Sequence, residues 1–128
     1  MEAQLFYKEL GRLLYAIAAA DGKVSAKEVN TLKKVVSEKL VPLESATDHF
    51  GTDQAYITEF EFDVLSERGA TSTEAFDSFV AYMERHRYDL HSSKKRTILE
   101  AADTVANAFH GVNKAELPLL IELHRLLG

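Results

Sequence analysis

The chain contains no cysteine, so disulfides, thiol catalysis and cysteine zinc sites are excluded and the fold must be held by its core alone. Long apolar runs are also missing. The longest near the start, residues 13–20, is too short to span a bilayer, and Glu2, Lys8, Glu9 and Arg12 before it are wrong for a secretory leader. No transmembrane segment is expected, which leaves only peripheral association with a membrane, and the cytoplasm is the natural compartment. Alternating runs of β-branched residues are absent, so strands are not expected. No stretch of Lys or Arg overrides a net charge of -5 and a pI near 5.5, and such a surface repels a phosphate backbone; nucleic acid is not an expected partner. There is no phosphate-cradling glycine loop, dinucleotide fingerprint or nucleophile elbow. The histidines His49, His86, His91, His110 and His124 include no pair at the i, i+4 spacing that aims two rings at one metal. Together these absences argue against an enzyme.

What is present is a single domain's worth of helix. The 128 residues, 46% hydrophobic and 27% charged, suffice for one core. Apolar spacing predicts about six helices. The first, residues 3–20, carries Phe6, Leu10, Leu13, Leu14 and Ile17 on a stripe wide enough for a central helix packed on more than one side. Gly22 ends it. Ser25 and Glu28 form a capping box that opens the second, with Val24 and Val29 as its hydrophobic staple. Val29, Leu32, Val35, Val36 and Leu40 face inward, and the helix stops before Pro42. Asp53 is the expected cap of a third helix reaching Arg68, with Gly69 beyond its end and Ile57, Phe60, Val64 and Leu65 as its core face. Thr71 and Glu74 form a second capping box for a fourth helix that turns Phe76, Phe79, Val80 and Met83 inward and frays near Tyr88. A fifth, residues 93–109, presents Ile98, Ala102, Val105, Ala106 and Phe109. A sixth ends at Leu127, and Pro118 requires either an isolated turn at residues 113–116 or a restart near Leu117.

The segment Ile17-Ala-Ala-Ala-Asp21-Gly22-Lys23-Val24-Ser25-Ala-Lys-Glu28 reappears as Val105-Ala-Asn-Ala-Phe109-His110-Gly111-Val112-Asn113-Lys-Ala-Glu116. Halves at residues 3–40 and 92–128 therefore read as repeated helical hairpins, joined by middle helices within residues 53–87, in an all-α single-domain bundle. The alanine-rich ends of the first and fifth helices predict that these two cross closely about a pseudo-two-fold axis.

The run Leu-Leu-Tyr-Ala-Ile-Ala-Ala-Ala-Asp21-Gly22-Lys-Val-Ser25-x-x-Glu28 resembles the signature of the TerB-like family, which includes tellurite-resistance TerB proteins and the N-terminal region of DjlA-type co-chaperones. The resemblance is strongest over residues 10–36. It implies a helical bundle with a duplicated hairpin, an acidic surface that binds divalent metal, and a role in bacterial stress response at the envelope. Asp21, Gly22 and Glu28 match residue by residue, whereas the second copy sets Phe109 against Asp21 and His110 against Gly22.

Two candidate sites follow. Asp21 and Glu28 flank a turn; they read either as turn-former and capping residue or, with loop carbonyls, as ligands of a divalent cation such as calcium, magnesium or zinc. Glu59, Asp63 and Glu67 lie at i, i+4, i+8 on one helix face, where like charges repel, so something must compensate. They read as a solvated face or as an acidic docking stripe for a basic protein partner. The five Tyr and seven Phe serve the core or line an apolar groove. The expected function is a non-enzymatic binding or sensing module, through its carboxylates or, as an adaptor of co-chaperone type, through such a groove.

Overall fold

The computed structural model describes residues 3–20, 24, 26–40, 56–87, 92–107 and 117–127. Among these are six α-helices and no strand: α1 (Ala3–Ala18), α2 (Ala26–Val35), α3 (Tyr56–Arg68), α4 (Ser72–Arg85), α5 (Ser92–Asn107) and α6 (Leu117–Leu127). Helix α2 runs on into a π-helical turn, Val36–Leu40. The chain is thus an all-α bundle. No helix among the described residues is long and apolar enough to cross a membrane.

Helix α1 is the axis of the structure. Phe6, Tyr7, Leu10, Leu13, Leu14 and the run from Tyr15 to Ala19 are all buried, so it is apolar nearly all round and must be covered on every side. Its most extensive contacts are with α3 and α4, followed by α5. Contact between α1 and α5 agrees with the expectation from their alanine-rich ends; Ala101, Ala102 and Ala106 of α5 are fully enclosed. Of the two hairpins expected from the repeat, α5 and α6 are in contact, whereas α1 and α2 are not principal neighbours. Helix α2 finds its main neighbour in α5 rather than in α1, and its π-helical turn reaches both α3 and α5. The middle helices are therefore the principal partners of α1, more than connectors between two halves. Buried residues of all six helices merge into one core.

Helix α3 corrects a second expectation. Its buried residues are Thr58, Glu61, Phe62 and Leu65, while Phe60 is 70% and Val64 37% exposed. Of the expected core face only Leu65 is fully buried, with Ile57 partly so. Apolar side chains occur on both sides of this helix, so periodicity offered two faces, and close fit to α1 selected between them. Gly11 of α1 lies against the α3 backbone, where an added Cβ would stand 2.6 Å from the Thr58 carbonyl oxygen and 3.1 Å from the Glu61 Cβ. The Thr58 hydroxyl donates to the Tyr7 carbonyl at 2.8 Å in the same seam. Phe62 then meets Tyr15 edge-on at 5.5 Å.

The turn between α3 and α4 follows its sequence signals. Gly69 takes φ of 70°, the Gly69 N–H donates to Ser66 O and the Ala70 N–H to Leu65 O, which is the Schellman closure. Thr71 accepts from the Glu74 N–H at 3.1 Å, the N-cap half of the expected box, while the Glu74 side chain pairs with Arg68 at 3.0 Å. The turn is tied to α1, because Tyr15 donates to the Ala70 carbonyl and Ser72 to the Ala16 carbonyl, each at 2.7 Å. Pro118 occupies the second position of α6, where its missing N–H has no intrahelical partner to lose. Val24 and Val29 are partly buried against the core. Asp53, Gly22, Ser25, Tyr88, Phe109 and Asn113 lie outside the described residues, as do the side chains of Val35 and Leu40.

The Gly11 seam generates a prediction. Because the atoms that a new methyl group would meet belong mainly to backbone, they have little room to give. Gly11→Ala is expected to cost about 1–3 kcal/mol in urea unfolding despite the higher helix propensity of alanine; an unchanged or raised midpoint would show that α1 and α3 do not meet as described.

Candidate functional site

Of the two carboxylates flanking the first turn, Asp21 lies outside the described residues. Glu28 stands in the first turn of α2, where its charge suits the positive end of the helix. It is 6% exposed and is not without a partner. Among the described residues no group of three or more His, Asp or Glu side chains converges as a metal site would require.

The acids of the expected stripe differ in their exposure. Glu59 and Asp63 are half-buried and Glu67 is exposed on α3. Part of the repulsion among them is relieved from a neighbouring helix, since Lys33 Nζ of α2 lies 3.9 Å from Glu59 Oε1. What the expected core face concealed is the stripe's neighbour. Tyr56, Phe60 and Val64, also at i, i+4, i+8, are the exposed large apolar residues of α3. Each stands three positions before an acid, so at 3.6 residues per turn the two stripes run side by side, about 60° apart around the helix. The outer face of α3 is therefore half apolar and half acidic.

A buried polar cluster on the opposite side of α3 was not singled out by the sequence patterns. Glu9 of α1 is 2% exposed and Glu61 of α3 7% exposed, and Arg12 lies between them. Arg12 Nη1 donates to Glu9 Oε1 and to Ser78 Oγ of α4, each at 2.6 Å. Ser78 Oγ in turn donates to Glu9, 2.9 Å from Oε1 and 3.1 Å from Oε2. Arg12 Nε stands 3.5 Å from Glu61 Oε2, an oxygen with no hydrogen bond. Two carboxylates thus share one guanidinium inside the α1, α3 and α4 interface. A cleft of about 160 Å³ lined by Arg12, Leu65, Arg68, Glu74, Ala75 and Ser78 opens beside it. The sequence signal was there: a Glu and an Arg three apart on a mostly apolar helix are placed to meet each other.

Tyr82 of α4 belongs to the same region. Its hydroxyl is buried and makes no hydrogen bond. Burial, and secondarily the Glu9 carboxylate, push its phenol up to about 12 from the ordinary 10.0, with Arg85 pulling slightly the other way. Burial also raises Tyr15, against the lowering influence of Arg68 and with a further upward contribution from Glu74. Of the histidines, His86 ends α4, its N–H donating to Tyr82 O and Met83 O, and His124 Nε2 stands 3.6 Å from Asp103 Oδ1 at an exposed contact. The other three lie outside the described residues.

Comparison with known protein families, with curated proteins and with solved structures finds no match to this chain. The likeness to TerB-like proteins accordingly rests on the residues that carry it.

Two outcomes test the buried cluster. Arg12→Met removes the cation shared by two enclosed carboxylates and is expected to cost about 3–5 kcal/mol in chemical denaturation; a loss below about 1 kcal/mol, the value of an exposed pair, would mean that water already screens them. Tyr82→Phe deletes an unsatisfied hydroxyl and is expected to gain about 1 kcal/mol at neutral pH. The raised phenol binds its proton more tightly when folded than when unfolded, so wild-type stability is full below the unfolded value of 10.0 and declines as pH rises toward about 12. In the Phe variant that alkaline decline should be shallower, with Tyr15 still contributing; equal slopes in the two proteins would refute the assignment.

Proposed function

We propose that this chain is a non-enzymatic binding module that docks a basic, amphipathic helix of a protein partner on the outer face of α3. The single observation behind this reading is the pairing of the Tyr56, Phe60 and Val64 stripe with the Glu59, Asp63 and Glu67 stripe. A partner helix with apolar residues at i, i+3 and i+4 spacing lays them along the first stripe, and Lys or Arg on its flank meets the second. Burying an exposed Phe ring supplies affinity, whereas the acids set orientation and approach rate. This joins the two expectations of a basic partner and an apolar docking surface on one helix. The resemblance to TerB-like proteins extends the reading to a role in bacterial stress response and to a divalent cation at the turn holding Asp21 and Glu28.

Titration of the full chain with a fluorescent amphipathic helix of Leu and Lys tests the docking. Wild type is expected to bind it, and Phe60→Ser to weaken binding at least about tenfold, as loss of a central anchor does. Because Phe60 points outward, thermal unfolding of the variant should be unchanged. Replacing Glu59, Asp63 and Glu67 by Gln should flatten the dependence on salt. Equal binding of a Leu and Glu helix, or indifference to Phe60→Ser, would overturn the proposal.

A further inference from the structure

A second hollow lies far along the chain from the α3 face, where the end of α4, the start of α5 and the end of α6 come together. It has a volume of about 540 Å³ and is lined by Met83, Glu84, Arg87, Lys95, Arg125, Leu126 and Leu127. Its wall holds three cations against one carboxylate, in a protein whose net charge is -5. The apolar part of the lining is anchored, since Met83 and Leu127 belong to the core.

The placement of the cations separates them. Arg125 is in the last turn of α6, where it suits the helix dipole and also pairs with Glu122 at 2.9 Å on the surface. Arg87 follows the end of α4 and is engaged as well. Lys95 is different. It lies near the start of α5, in the sequence Lys94-Lys95-Arg96, and the first turn of that helix carries no acid. Cations there oppose the helix dipole and one another, so helix stability does not account for them. Lys94 is occupied by the Phe6 ring, 4.8 Å from its centroid. Lys95 is half-buried in the hollow's wall and has no ion pair among the described residues.

We propose that this hollow binds a small amphiphilic anion, a phosphate or carboxylate head joined to a short apolar body. Lys95, with Arg87 and Arg125 around it, holds the head, while the body rests on Met83, Leu126 and Leu127. A volume of this size matches the range of small-molecule sites, and charge-assisted hydrogen bonds in a partly enclosed hollow outweigh those made on open surface.

Octyl phosphate below its aggregation limit is a suitable probe, added to the full chain and followed by methyl NMR signals of Leu126 and Leu127 and by calorimetry. Saturable binding is expected. Lys95→Met should weaken it about tenfold, the equivalent of one charge-assisted contact; Lys33→Met, on α2, should leave it unchanged. Arg125→Gln gives a second reading if Lys95→Met perturbs folding, and circular dichroism melts of both variants check that. The proposal fails if octyl phosphate does not saturate, if neither variant weakens it, or if neutral 1-octanol binds as tightly.

Discussion

Everything in this bundle depends on covering one helix. Helix α1 is apolar on nearly its whole circumference, and leaving any side of it in water would forfeit a large part of the hydrophobic stabilisation that about 25 cal/mol per Å² of buried apolar surface provides. Three helices do the covering, and at Gly11 the α3 backbone comes within what a methyl group would occupy. That contact fixes the rotation of α3. Once Thr58 and Phe62 are turned toward α1, Phe60 and Val64 must face solvent.

The same constraint explains the buried charges. Glu9 is buried on the covered side of α1 and must be satisfied inside, while Arg12, its side chain 27% exposed, reaches in from the rim to meet it. Ser78 of α4 and Glu61 of α3 are what the surrounding helices offer, and the cluster thereby links all three helices. It is imperfectly satisfied, since Glu61 Oε2 and the Tyr82 hydroxyl lack hydrogen bonds. Such groups cost stability, and buried polar groups of this kind favour one arrangement of helices over its alternatives.

The two surfaces proposed for binding sit on different parts of the bundle and have opposite sign. The α3 face offers acids beside aromatic and aliphatic side chains, suited to a cationic helix. The hollow near the ends of α4 and α6 offers cations above a floor belonging to the core. Rigid scaffolding stands behind both: the α3 turn is bonded to α1 through Tyr15 and Ser72, and the floor of the hollow is continuous with the buried cluster of side chains.

Much of the architecture was legible because it depends on local chemistry. Helical periodicity, the Thr71 cap, the Gly69 closure and the start of a helix at Leu117 each involve residues a few positions apart, whose preferences act before distant parts of the chain meet. The acids of α3 were legible as a stripe for the same reason. Which of two apolar faces of α3 would be buried was not, because periodicity records that a face is apolar and carries no information about the shape opposite it. Spacing could suggest that Glu9 and Arg12 meet, but not that Glu61 and Ser78 join them, since these come from two other helices tens of positions away. Sequence by itself determined that the chain is helical and how α3 ends and α4 begins; the tertiary structure decided which side of each helix faces water, because that choice is made by steric fit between surfaces.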